Sequence, residues 1–284
     1  MNIRDCFKPI NNRINGTPVP GQNSFMRALS IVAPVFIYYF LSIFITYGAA
    51  IIIGTGQYEA RTSQFFVNHS VLCACIIRIA SVILAVVPLV ISFKGECPII
   101  LQKDDRAKRH LLLIVVASIA MAMFYNMLFS YIGFSASSDS FKATEARQMA
   151  LPLWAGILVY GIVTPVTEEI VYRGIVYNRI RRYFNLPMAI IAGSFIFGIA
   201  HGNRVQLVYG FLMGILISYI YERCGSFIYP VLFHCVANTA VYVVMANDSV
   251  RSAVCNVAVM IICGVVGIAA MIAVMLERRP ESIE

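Results

Sequence analysis

Charge is what this chain has least of. Only 13% of its 284 residues are Asp, Glu, Lys or Arg, while 60% are hydrophobic and the mean hydropathy is +0.78. A soluble domain carries about 25% charge, so a water-soluble enzyme is excluded and an integral membrane protein is expected. The net charge of +8 is therefore not read as nucleic-acid binding. No cleavable secretory leader is expected, because residues 1–24 are polar and the first apolar run is too long for a signal h-region. Cysteine clusters are absent: the eight cysteines are scattered, and Cys73 and Cys75, the closest pair, have no partner group. That pattern excludes a disulfide framework and a cysteine metal site, and reads as small core residues of a reduced protein. No H-E-x-x-H occurs, and no internal repeat of the kind that builds a two-half transporter is visible.

What is present is a succession of apolar runs. Spans are expected at about Ala28–Ile53, up to Phe93, Leu111–Phe134, Ala150–Tyr183, up to His201, Val205–Tyr221, Phe227–Met245 and Ala253–Leu276. The fold expected is all-α, a polytopic membrane protein of about eight transmembrane helices with an active-site cavity inside the bundle. Residues 1–27 form a cytosolic leader, 28–149 three helices and their loops, 150–245 a core that carries the polar motifs, and 246–284 the last helix and a cytosolic tail. Loops are expected at Gly54–Ser70 and Ser135–Arg147. Most of the 22 Lys and Arg residues, including the cluster Lys94 to Arg109, fall on the side of the chain ends. The positive-inside rule then puts both termini in the cytosol. Arg78 is a charge within the second span, facing the bundle or reaching for an interface. Gly210 and Gly214 make a small-xxx-small match suited to close helix packing.

The stretch from Thr164 to Gly174 places two adjacent carboxylates and an arginine inside an apolar run. Ionisable groups at that depth are costly and are functional by default. Glu169 and Arg173 are four apart on a helix and share a face, acid first. Glu168 points about 100° away, so one carboxylate can be neutralised while the other faces a cavity. Thr164 and Pro165 fit an N-cap and a first helical position, so a kink or restart is expected just before Glu168. His201 ends the fifth span, and His234 and Asn238 share one face of the seventh. Counted from the turn near residue 184, Glu168 and His201 each lie about 24 Å along their helices. His234 fits that depth less well, at about 10 Å from the start of its span. A carboxylate and a histidine in a restricted cavity suit activation of water. A second histidine with Asn238 supplies donors of the kind that hold an oxyanion. Together they describe acyl-transfer hydrolysis, most simply of a peptide bond. Glu168, His201 and His234 would also make a His₂Glu zinc set, and spacing does not choose between the two. From burial alone, a proton relay through Glu168 and His201 in a transporter is a third reading.

Three motifs, Glu168-Glu169-Ile-Val-Tyr-Arg173 (E-E-x-x-x-R), Phe197-x-x-x-His201 and His234-x-x-x-Asn238, stand in that order within residues 150 to 245. In this the sequence resembles the CAAX-processing and bacteriocin-processing (Abi) family of intramembrane proteases. The resemblance implies that Glu168 activates water together with His201, that His234 and Asn238 form the oxyanion site, and that Glu169 and Arg173 pair to shape the cavity. It implies an intramembrane endopeptidase for a lipidated (CAAX-type) or hydrophobic peptide, working in a lipid bilayer near the cytosolic side. The alternative within the family is bacteriocin self-immunity or scaffolding with no required catalysis. No cofactor is required on the favoured reading, because Glu169 with Arg173 and His234 with Asn238 have roles that need no metal. Zinc is the metal the other reading would take.

Overall fold

No water reaches stray peptide groups in the core of a bilayer, so long apolar runs close their hydrogen bonds as helices. The computed structural model describes residues 23–56, 60–92, 107–224 and 226–276, and every element among them is helical. The expected leader up to residue 22, the basic segment 93–106 and the tail 277–284 lie outside the described residues. In chain order the helices are α1 (Ser24–Gly56), α2 (Ala60–Asn68), α3 (Ser70–Ser92), α4 (Ala107–Tyr131), α5 (Asp139–Met149), α6 (Leu153–Tyr183), α7 (Leu186–Ile199), α8 (Arg204–Cys224), α9 (Ile228–Met245), α10 (Asp248–Val254) and α11 (Val257–Leu276). Seven of them, α1, α3, α4, α6, α8, α9 and α11, are long and apolar enough to cross a membrane. The eighth apolar helix, α7, has 14 residues. It therefore covers about 21 Å of a hydrocarbon core about 30 Å thick. Its C-terminal end stops inside the bundle, and His201 follows directly.

The two segments read as loops, Gly54–Ser70 and Ser135–Arg147, contain the short helices α2 and α5. In α5, Ser138 accepts the Phe141 N–H and Asp139 occupies the first turn, where a negative charge meets the positive end of the helix dipole. Asn247 caps α10 in the same way through the Val250 N–H. Polarity in these stretches marked exposure, and their caps were the signal for helix.

The expected restart at Thr164–Pro165 is not found. Val163 is helical, Thr164 lies inside the run, and α6 continues from Leu153 to Tyr183. Proline is accommodated instead by a wider turn, since Ile157–Val163 is π-helical; Ile170–Tyr177 is π-helical as well, and the two flank the α-helical stretch Thr164–Glu169.

Glycine sets the closest helix crossings. A Cβ on Gly198 would sit 2.5 Å from the Leu207 carbonyl oxygen and 3.0 Å from the Phe211 nitrogen. Gly210 lies against the Gly198 Cα, and Gly214 against Ser194. α7 thus meets α8 backbone to backbone, through the Gly210–Gly214 face marked in the sequence. Gly198→Ala is expected to cost about 1–3 kcal/mol or more, because backbone rather than a movable side chain must give way. Gly48→Ala on α1, where a Cβ meets nothing within 4 Å, should leave the thermal midpoint unchanged or slightly raised. Thermal unfolding of both variants in one detergent checks the contrast.

Candidate active site

The site is assembled where α6, α7, α8 and α9 meet α1 and α3. Pro165 has no N–H, so the Gly161 carbonyl loses its α-helical donor. The Thr164 N–H reaches back to Val159, five residues away, which releases the Tyr160 carbonyl as well. Helix α9 occupies these freed acceptors. Asn238 Nδ2 donates to the Tyr160 oxygen at 3.2 Å, Thr239 Oγ1 to the Gly161 oxygen at 3.4 Å, and the Cys235 thiol to the Ile162 oxygen at 3.8 Å. Gly161 permits this approach, since a Cβ there would meet Thr239 Oγ1 at 2.5 Å. Asn238 therefore docks α9 on the π turn with one amide N–H, and the second makes no hydrogen bond among the described residues. No sequence signal marks that clamp, which depends on the π register.

The two adjacent glutamates have different surroundings. Glu169 is fully buried; its Oε1 accepts from Arg173 Nη1 at 2.9 Å and from His234 Nδ1 at 2.7 Å. Arg173 is 1% exposed, donates also to the Gly214 carbonyl at 3.3 Å, and lies 4.6 Å over the Phe197 ring. Glu168 lines a cavity of about 340 Å³ and makes no hydrogen bond to protein among the described residues. Its Oε2 lies 3.8 Å from His234 Nε2.

His201, His234 and Asn238 line the same cavity as Glu168. The Phe197 carbonyl can only accept, so the contact at 2.8 Å fixes the proton of His201 on Nδ1. In the neutral ring Nε2 is then a bare acceptor. Gly202, at φ 76°, takes the left-handed conformation that turns the chain into α8 immediately after this ring. Phe197 meets both histidines edge to face, at 4.9 Å for His201 and 5.6 Å for His234. One aromatic ring thereby holds Arg173 on its face and the two histidines at right angles.

His234 stands closer to Glu168 than depth counting predicted. The count assumed 1.5 Å per residue throughout, and the π segments of α6 pack more residues into each turn.

Further cavity-lining groups come from outside the motifs. Tyr38 Oη and Thr167 Oγ1 are 3.1 Å apart, and Tyr172 donates to Tyr39 at 3.4 Å, which ties α1 to α6 beside Glu168. Arg78 of α3 is the only Lys or Arg on the described wall, and its Nε has no partner there. Only Arg78 was marked by the sequence; the tyrosines lie in an apolar run that gives no sign of a site. Glu168, His201 and His234 share the cavity, but among the described residues no three His, Cys, Asp or Glu side chains form a metal-binding group.

Residues 150–240 match the family described as "Type II CAAX prenyl endopeptidase Rce1-like". A protein of Bacillus subtilis (strain 168) named "Putative membrane peptidase YdiL" is 32% identical over 143 residues, 47% of this chain and 57% of that relative. The chain thus spans a little over half the length of the relative it matches. No solved structure matches the chain.

Proposed function

Because residues 150–240 are an Rce1-like segment of an integral membrane protein, we propose that the chain is an intramembrane endopeptidase that hydrolyses a peptide bond of a lipidated or hydrophobic peptide. The observation that carries this reading is the division of labour between the glutamates. Glu169 is neutralised by Arg173 and His234, while Glu168 faces the cavity without a protein hydrogen bond. A carboxylate so placed takes a proton from a water, with His201 Nε2 as the second acceptor. The hydroxide adds to the scissile carbonyl, and the oxyanion is held by the free N–H of Asn238 and by His234. Since His234 already donates Nδ1–H to Glu169, it donates from Nε2 only as the imidazolium. In that form Glu168, Glu169, Arg173 and His234 sum to zero charge, the arrangement a low-dielectric site tolerates best. The C–N bond then breaks, and the leaving amine takes the proton from Glu168.

The cavity volume lies within the usual range for ligand sites, about 300–1,000 Å³. Arg78 supplies the cation for an anionic group of the substrate. Arg78→Gln should raise KM about tenfold or more, given about 1.5–3 kcal/mol for a hydrogen bond to a charged group, and change kcat little. Steady-state kinetics on peptides with free and amidated C-termini check this and show whether the anion is the terminal carboxylate.

The deciding experiment assays purified protein in detergent, intact and Glu168→Ala, on a farnesylated CAAX peptide and a panel of hydrophobic peptides, with metal content measured on the same samples. Loss of cleavage in the variant without stoichiometric metal in the intact protein supports the proposal. Cleavage that tracks bound zinc and is lost to chelation would put Glu168 in a metal shell. No cleavage by intact protein, with an unchanged cellular phenotype for Glu168→Ala, would favour immunity or scaffolding.

A further inference from the structure

We infer that the cavity receives its substrate from the membrane face opposite both chain ends, which is the non-cytosolic face. The substrate is then an exported hydrophobic peptide, or the outer end of a membrane segment, rather than a cytosolic tail. This rests on the protease reading and narrows its substrate class.

The first observation is the direction of the helices around the cavity. Both described chain ends, at Ser24 and Leu276, lie at one end of the bundle, together with the starts of α4, α7 and α9 and the ends of α3, α6 and α8. The cavity wall is drawn from the other end. Phe129 is near the end of α4, His201 follows α7, Gln206 is at the start of α8, and Tyr242 and Met245 are at the end of α9. Helix α5, which connects α4 to α6 at that same end, adds Thr144 and Glu145 to the wall and buries none of its own residues. From Glu168 and His234 at mid-depth, the cavity thus runs away from the chain ends.

The second observation is what closes the opposite direction. Tyr177 donates to Glu222 Oε1 at 2.8 Å, Arg181 Nε donates to the same oxygen at 2.5 Å, and Asn178 Nδ2 donates to Tyr221 at 3.3 Å. All five side chains are buried, and Tyr221 meets Tyr177 and Phe227 edge to face. This plug fills the space between α6 and α8 on the side of the chain ends and leaves no wall residue of the cavity there.

The third observation is charge. The end that carries the termini has Arg27, Arg179, Arg181, Arg182 and Arg223, and the sequence between α3 and α4 adds Lys94, Lys103 and Arg106. The cavity end has Arg61, Lys142, Arg147, Arg204 and Arg251, and acidic residues accompany the basic ones at both ends. Short loops rich in Lys and Arg stay in the cytosol, so the cavity end is outside. Among the described residues, a route to the cavity between α6 and α8 from the side of the chain ends would have to pass the buried Glu222 cluster.

The test uses cells that express the full chain with Thr144→Cys on the cavity wall or Phe184→Cys at the opposite end. A charged, membrane-impermeant maleimide is applied to intact and to permeabilised cells, and one labelled site beyond those of the parent chain is scored. Labelling of Thr144→Cys but not Phe184→Cys in intact cells, with both labelled after permeabilisation, is expected. The reverse pattern, or no Thr144→Cys label before permeabilisation, overturns the inference. In parallel, a charged-tailed form of a peptide cleaved in detergent is added to sealed right-side-out and inside-out membrane vesicles. Cleavage in right-side-out vesicles is expected. Cleavage confined to inside-out vesicles would overturn the access inference while leaving the protease reading intact. If no peptide is cleaved even in detergent, the protease reading fails, and the labelling pattern still decides which face the cavity meets.

Discussion

Glu169→Gln is expected to lower stability by about 3–5 kcal/mol, the cost of stranding one member of a buried ion pair. The glutamine oxygen still accepts from Arg173, but the guanidinium loses its counter-charge at 1% exposure within a membrane span, with only the Gly214 carbonyl and the face of Phe197 beside it. Arg173→Met should cost less, because Glu169 still receives His234 Nδ1 at 2.7 Å. The double variant should recover much of the loss, since a neutral glutamine continues to accept from His234 while no charge is left unpaired. A double-mutant cycle on unfolding in one detergent measures the coupling, expected at the upper end of the about 0.5–3 kcal/mol found for residues in one network. Additive losses from the two single changes would mean that the pair contributes only packing.

How much of this could be read from the sequence depends on the physical range of each signal. Apolar runs report membrane helices directly, so the eight apolar helices were legible. The i, i+4 spacing of Glu169 with Arg173 is set within one helix, and their ion pair follows from that alone. Gly210 and Gly214 were legible for the same reason: small residues four apart make one flat stripe. The π turns around Glu168 were not, because a run that is apolar on most sides carries no periodic mark that an added residue would shift. Thr164 therefore read as a cap where the helix in fact continues, and the depth of His234 was misjudged. The dual use of Asn238, which docks α9 on the released Tyr160 carbonyl, follows from that same hidden register. Tyr38 reaches Thr167 across 129 residues of sequence, a contact that only packing of α1 on α6 creates. The face from which the cavity opens was also beyond local reading. Helix directions place it toward the end away from Ser24 and Leu276.

Glu168→Gln should show the opposite signature to its neighbour. Glutamine keeps the volume of the side chain, and the carboxylate has no protein hydrogen bond to lose. Stability is therefore expected to stay within about 1 kcal/mol, the size of an ordinary hydrogen-bond contribution. Activity should fall about 10²–10⁴-fold, the range for a positioned general base, and the loss should appear in kcat because the amide still fills the wall. Glu168→Asp separates chemistry from position. It retains a base but withdraws it by one methylene from His234 and the cavity, so residual activity above that of the glutamine variant points to proton transfer. Equal activity of the glutamine variant and intact enzyme would remove Glu168 from the mechanism, whatever the fate of Glu169. The two substitutions differ by one position in sequence and by about 100° around the helix. That rotation separates a residue whose loss destabilises the protein from one whose loss silences it.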